Sequence, residues 1–308
     1  MNPLRRTLID YLAVRRALGY KLKRAEKLLA QFLTYVENRD EQHLRIATML
    51  TWATLPSGSD RGWSSYRLSI VRGFASHMHT IDPATEVPSA DLLPRRRCRA
   101  TPYLYSDDDI AALMVAAARL RTPHRVATYR TLIGLLAVTG MRVGEALALD
   151  RDDIDASEGV LTVRHSKFGK SRELLVHPST VAALRYYLRR RDRPRSATNT
   201  PAVLVSTAGT RLLYCNVQWT FHRLVRCAGL KPRSAACRPR LHDLRHRFAV
   251  CTIIDSYRHG QDSEARLSLL STYLGHVDPK NTYWYLSAAP ELLQLAADRL
   301  QQHLGCAS

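Results

Sequence analysis

Between residues 81 and 105 the chain carries Pro83, Pro88 and Pro94, and the last of these runs straight into Arg95, Arg96, Arg97 and Arg99. Proline fixes φ and removes a backbone donor, so neither a regular helix nor an interior strand passes through such a stretch. The chain must therefore fold as two bodies joined here. Its 308 residues, set against roughly 150 per domain, point the same way. We place an N-terminal unit at 1–92, a basic linker at 93–104 and a second unit at 105–308.

The N-terminal unit reads as a small all-α domain. Residues 8–36 repeat apolar side chains at helical spacing, with Ala25, Leu28, Leu29, Phe32 and Val36 on one face and Gly19 dividing the run into two helices. Lys21, Lys23, Arg24 and Lys27 crowd the junction. A further helix over 64–79 points Ile70, Val71, Phe74 and Met78 inward and leaves Arg67 and Arg72 facing elsewhere.

The second unit opens on Ser106 followed by Asp107, Asp108 and Asp109, a cap and an acidic first turn that complement a helix dipole. Helical patterning is interrupted once. Residues 159–165 and 172–177 are short β-type runs joined by a glycine-containing turn, so they predict a β-hairpin with Lys167 and Lys170 at its tip. Pro178 and Ser179 restart a helix through Tyr187, and helical patterns continue to Leu304, where Pro290 starts a last helix with an apolar stripe of Leu293, Ala297, Leu300 and Leu304. The fold class expected is mainly α with one small β-hairpin.

Charge narrows the partner. A formal charge of +19 calls for a polyanion, and no apolar run approaches the ~18 residues of a membrane span, which favours nucleic acid over a membrane surface. Residues 1–10 lack the apolar core of a secretory signal, so a cytoplasmic location is expected. The six cysteines form no CxxC pair, which speaks against a zinc module and a disulfide framework and leaves reduced thiols, with Cys251 in the core.

Four segments of the second unit carry chemistry: Thr139-Gly-Met-Arg142-Val-Gly-Glu145, Ser166-Lys167, His242-Asp-Leu-Arg245-His, and Leu274-Gly275-His276 followed by Tyr285. Forked guanidinium donors match the non-bridging oxygens of a phosphodiester transition state and stay charged at every relevant pH, so Arg142 and Arg245 are candidates for a phosphate clamp, although either alone reads equally as an ordinary DNA or surface contact. Glu145, three residues after Arg142, can orient that guanidinium or a nearby histidine. His242 shares an i, i+3 relation with Arg245 and titrates in the range needed to take a proton from an attacking hydroxyl. His246 reads as structural.

This ordered set resembles the phage-integrase family of tyrosine recombinases, and the helical N-terminal unit resembles the family's core-binding domain. The resemblance implies that the hairpin lysine is the general acid for the 5′ leaving oxygen, a position that Lys167 matches better than Lys170. It implies that His276 hydrogen-bonds the scissile phosphate and that the nucleophile falls nine residues later, at Tyr285; Tyr283 is then a packing or orienting residue and Trp284 part of the core. A 3′-phosphotyrosyl intermediate conserves the bond energy, so no cofactor or metal is expected. Double-stranded DNA is the implied partner, bound by a homotetramer or a hetero-tetramer with related recombinases, with Arg95, Arg96, Arg97 and Lys170 on DNA phosphates. Two alternatives stay open: an inactive DNA-binding member of the family, and a type IB topoisomerase-like enzyme. Residues 255–266 exceed the compact integrase pattern and are expected to be a loop insertion.

Overall fold

The computed structural model describes residues 3–55, 61–93, 100–164, 171–192 and 200–276, with 278, 282–283, 291–292, 294, 297 and 301 beyond them. Two compact units emerge, Met1–Arg99 and Ala100–Ser308.

The first unit is built of α1 (Pro3–Ala17), α2 (Lys23–Glu37), α3 (Ile46–Thr54) and α4 (Arg61–His79). Gly19, at φ 86°, turns the chain between α1 and α2, a conformation that costs glycine little. The predicted stripe Ala25, Leu28, Leu29, Phe32 and Val36 is buried, and it meets Val71, Phe74 and Met78 of α4 in one core. Truncating a side chain such as Phe32 to alanine there costs about 3–5 kcal/mol. Arg67 departs from expectation. It lies 8% exposed, donates from Nη2 to the Trp52 carbonyl at 2.7 Å and stacks 3.7 Å over the Trp52 ring, so stacking and a backbone acceptor offset the desolvation of its charge.

The second unit runs α5 (Asp107–Ala118), α6 (Pro123–Thr139), α7 (Val143–Ala148), a 3-10 turn (Arg151–Asp153), β1 (Ile154–Asp155), β2 (Val160–Val163), β3 (Arg172–Leu175), α8 (Pro178–Arg191), α9 (Tyr214–Cys227), α10 (Asp243–Arg258) and α11 (Ser263–Leu274). Ser106 caps α5 as its sequence predicts: its side chain accepts from the Asp109 amide while Asp109 accepts from the Ser106 amide. The hairpin is present with one strand more than expected, an antiparallel sheet in the order β1-β2-β3 that pairs Leu161 with Ile154 and with Leu174. Leu161, Val163 and Leu174 put their alternating side chains into the core. Buried on most sides, α6 packs against α5, α8 and α10 and is the axis of this unit.

Residues 255–266 are not a loop. Helix α10 continues through Arg258, only residues 259–262 lie outside a helix, and Asp262 starts α11 by accepting from the Glu264 and Ala265 amides. Ile253, Ile254, Leu267, Leu270 and Leu274 explain why: they pack the two helices into a second small core that Leu292 joins, whereas Ala297 is exposed. Cys251 is only half-buried, and among the described cysteines the buried one is Cys237, whose Sγ faces the Pro102 carbonyl at 3.4 Å. Among the described residues no helix is long and apolar enough to cross a membrane.

Candidate active site

The α6–α7 junction, the foot of β3, the first turn of α10 and the end of α11 meet through three guanidinium groups. Gly140 ends α6 in the left-handed region, at φ 59°, and the chain that leaves it delivers Arg142 to the N-cap of α7. There the Arg142 amide donates to Glu145 Oε2 at 2.9 Å and its Nη1 donates to Oε1 at 2.8 Å. Glu145 thus orients Arg142, through a capping contact instead of a shared helix face. The Arg142 side chain keeps 29% of its surface exposed, leaving it open to a ligand.

Arg245 is the opposite case, 2% exposed. Its Nη1 donates to the Gly140 carbonyl at 2.8 Å, and its Nη2 donates to the Leu274 carbonyl at 2.7 Å and to His276 Nε2 at 2.9 Å. It therefore ties the end of α6 to the end of α11.

Helix α11 stops because Gly275 adopts φ 67°, with the Gly275 amide on Thr272 O at 2.9 Å and the His276 amide on Ser271 O at 3.0 Å, a Schellman turn. That turn presents His276. Its carbonyls form the negative end of the helix dipole, where cations are favoured. Arg172 Nε donates to Tyr273 O at 2.8 Å, Arg245 to Leu274 O, and Arg142 Nη2 to Gly275 O at 3.3 Å. Arg172 also grips Glu145, with Nη1 on Oε1 at 3.2 Å and Nη2 on Oε2 at 2.7 Å.

The charges follow from these contacts. Burial by itself would raise the Glu145 carboxyl, but hydrogen bonds from Arg172 and the Arg142 amide, with the charge of Arg172, outweigh it and hold the pKa near about 2. His276 is pushed down to about 4 by burial first, then by the positive charges of Arg245, Arg142 and Arg172 and by His242. It is neutral at physiological pH. Its Nδ1 lies 2.7 Å from Thr282 Oγ1.

His242 is the N-cap of α10 and is exposed, and its ring meets that of His246 edge-on at 4.8 Å. His246 is buried 3.8 Å from Asp243. Asp243, fully buried, accepts from the Arg240 amide, Nε and Nη2 at 3.1, 3.0 and 2.7 Å, and burial pushes its carboxyl up against the pull of Arg240. This pair anchors the turn that carries His242.

Arg142, Glu145, Arg245 and His276 are thus brought into one hydrogen-bonded network, with His242 close enough to act on His276 electrostatically. Lys167, Lys170, Tyr285, Trp284 and the linker arginines Arg95, Arg96 and Arg97 lie outside the described residues. Tyr283 does not pack; it is 57% exposed, and its neighbour Thr282 is the buried one. Sequence reasoning missed Arg172 and Thr282. The available signal for Arg172 was its place at the foot of the lysine hairpin; Thr282 carried none. Among the described residues no group of three His, Cys, Asp or Glu side chains is placed to hold a metal ion.

Comparison with known proteins identifies the family. The phage integrase family model matches residues 104–291. The protein y4rB of Sinorhizobium fredii (strain NBRC 101917 / NGR234), whose name marks it as an integrase/recombinase, is 42% identical over 308 residues, covering 98% of each chain. Its counterpart y4rE from the same strain, named likewise, is 36% identical over 291 residues, covering 94% of this chain and 93% of its own. In structure, the Tn1549 transposon integrase in complex with transposon right end DNA superposes with a TM-score of 0.62 at 14% identity, over 96% of this chain and 99% of the other, a likeness of fold. A family model spanning more than half of the sequence, and a relative at that identity along nearly its full length, show that the chain belongs to the phage integrase family of tyrosine site-specific recombinases.

Proposed function

We propose that this recombinase cuts and rejoins double-stranded DNA through Tyr285, with residues 1–92 as a core-binding domain, 93–104 as a basic linker and 105–308 as the catalytic domain. The Tyr285 hydroxyl attacks the scissile phosphorus, the P–O5′ bond breaks, and a 3′-phosphotyrosyl link and a free 5′-hydroxyl result. His242 accepts the tyrosine proton, and Lys167 gives one to the departing 5′ oxygen, so charge balances across the step. Arg142 and Arg245 hold the non-bridging oxygens, where such donors commonly contribute ~3–4 kcal/mol each. Rejoining is the reverse reaction with the 5′-hydroxyl of a partner strand, and it needs no cofactor. Exchange between two duplexes requires a tetramer of this chain, or of this chain with related recombinases, acting in the cytoplasm. Arg95, Arg96, Arg97 and Lys170 are assigned to backbone phosphates.

The observation that carries this reading is the network joining Arg142, Arg245 and His276, which gathers donors and net positive charge around one open guanidinium. It is supported by the charge of +19 and by the DNA complexes in which structural relatives such as the Tn1549 integrase were solved. The test is incubation with a nicked duplex carrying the chromosomal sequence that flanks the gene, followed by denaturing electrophoresis. A covalent protein–DNA adduct that disappears in Tyr285→Phe is the expected result. No adduct, or one that persists in that variant, overturns the reading.

A further inference from the structure

Arg172 stands at the first position of β3 with its side chain 13% exposed, facing a Glu145 side chain that is 8% exposed. Both of its terminal nitrogens engage Glu145, and its Nε caps α11 at Tyr273. Gly275 makes room for it: a Cβ at that position would sit 3.1 Å from Arg172 Nη1 and 3.4 Å from Cδ and Cζ. Glu145 is shared, because Arg142 donates to the same Oε1 atom.

Sharing decides the charge at the site. With Arg172 in place, one carboxylate faces two guanidinium groups, and Arg245 adds a third. Were Arg172 absent, Glu145 and Arg142 would close into a neutral pair, and an incoming phosphate would have to compete with the carboxylate for the same donors.

Resting on the recombinase reading above, we propose that Arg172 is a positioning residue for strand cleavage: it occupies the charge of Glu145 so that Glu145 can orient Arg142 without neutralising it. Arg172 touches neither DNA nor the reacting atoms in this role. It acts through Glu145, and removing Glu145 should therefore relieve the loss of Arg172.

The experiment measures the single-turnover rate of adduct formation by the full chain on the same nicked duplex, at saturating protein, for wild type, R172Q, R172K, E145Q and R172Q/E145Q, with the thermal midpoint of each. R172Q is expected to be about 10- to 100-fold slower than wild type. R172Q/E145Q should recover at least about threefold over R172Q, because deleting the carboxylate frees Arg142 again. R172K, which keeps the charge, should stay within about fivefold of wild type. A tie that served folding alone would behave otherwise: R172Q would lower the thermal midpoint, adding E145Q would restore it, and the rate of the folded protein would not change. A double variant as slow as R172Q, an R172K as slow as R172Q, or an R172Q at the wild-type rate each overturns the proposal while leaving the recombinase reading intact. Should R172Q fail to fold, R172K is read against wild type alone: a rate within about fivefold supports the proposal, and a rate about 10-fold or more slower overturns it. A wild-type chain that forms no Tyr285-dependent adduct overturns the recombinase reading and the proposal with it.

Discussion

Arg245 Nη2 lies 2.9 Å from His276 Nε2, and this single contact assigns the imidazole proton. A guanidinium has donors and no acceptor, so Nε2 must accept. His276 is neutral, its pKa held down to about 4, and its one proton therefore sits on Nδ1 and is donated to Thr282 Oγ1 at 2.7 Å. The ring is fixed from both sides. A phosphate that takes a hydrogen bond from Nε2 must draw Arg245 away from it and favour protonation of the ring, so His276 should titrate higher with DNA bound than without.

Thr282→Val removes the acceptor for the Nδ1 proton while preserving side-chain shape. Leaving a part-buried donor without its partner costs about 1–3 kcal/mol, of which even the lower end is about fivefold in rate. Adduct formation should slow by about 5- to 30-fold with DNA affinity unchanged, and Thr282→Ser should restore it. An unchanged rate in Thr282→Val would show that the ring is oriented from the Arg245 side alone.

Arg142 and Arg245 should separate in stability though not in chemistry. Replacement of either by lysine forfeits the forked geometry, and cleavage should drop by about two to three orders of magnitude in both. Arg245 also satisfies the Gly140 and Leu274 carbonyls in the interior, and removing it strands them at about 1–3 kcal/mol apiece. Thermal unfolding should therefore shift strongly downward in Arg245→Ala and little in Arg142→Ala. Equal shifts would contradict the burial difference on which this rests.

Much of this site was legible because its chemistry sits in short local strings. Arg142 and Glu145 are one turn apart and His242 and Arg245 likewise, although Arg142 and His242 stand at the N-caps of their helices and not on a shared helix face with their partners. What sequence could not give is the joining of strings. Arg172 reads as a strand residue until β3 is docked on the end of α11, and Thr282 is any surface threonine until His276 faces it. Arg67 misled for a related reason: charge on an amphipathic helix is normally solvated, and only the Trp52 ring and carbonyl, 15 residues away in sequence, make its burial tolerable. Residues 255–266 were misread because polar residues between two apolar helices imitate a loop, whereas they cover the outer faces of helices whose inner faces pack together.

The stability of the free protein should fall with pH over two windows with distinct owners. His276 has its pKa lowered from 6.5 to about 4, so the unfolded chain takes up this proton first, and the stability it confers is present above about 6.5 and lost as pH falls through 4. Glu145 is lowered from 4.5 to about 2; its contribution is present above 4.5 and lost as pH falls through 2. Both slopes have the same sign. Thermal midpoints measured against pH should lose the upper slope in His276→Gln and the lower one in Glu145→Gln. Profiles parallel to wild type in both variants would remove these two residues from the account.

Three glycines near the site should respond to alanine in three different ways. Gly140 takes φ +59° and a Cβ there would meet the Phe248 ring at 2.4 Å, so left-handed strain and overpacking combine to cost at least about 2 kcal/mol. Gly275, at φ +67°, carries similar backbone strain, but its Cβ would press on Arg172 Nη1 at 3.1 Å. That guanidinium can yield only by loosening its hold on Glu145, so Gly275→Ala should slow cleavage by more than its stability loss explains. Gly144 lies inside α7 with nothing within 4 Å of an added Cβ. Alanine there adds helix propensity and lowers the entropy of the unfolded chain, and should stabilise by about 0.5–1 kcal/mol. The ordering Gly144 above wild type above Gly275 above Gly140 in thermal midpoint, with the cleavage defect concentrated at Gly275, follows from backbone conformation and neighbours alone. A Gly275→Ala variant with unimpaired cleavage would mean that Arg172 can move without consequence for the site.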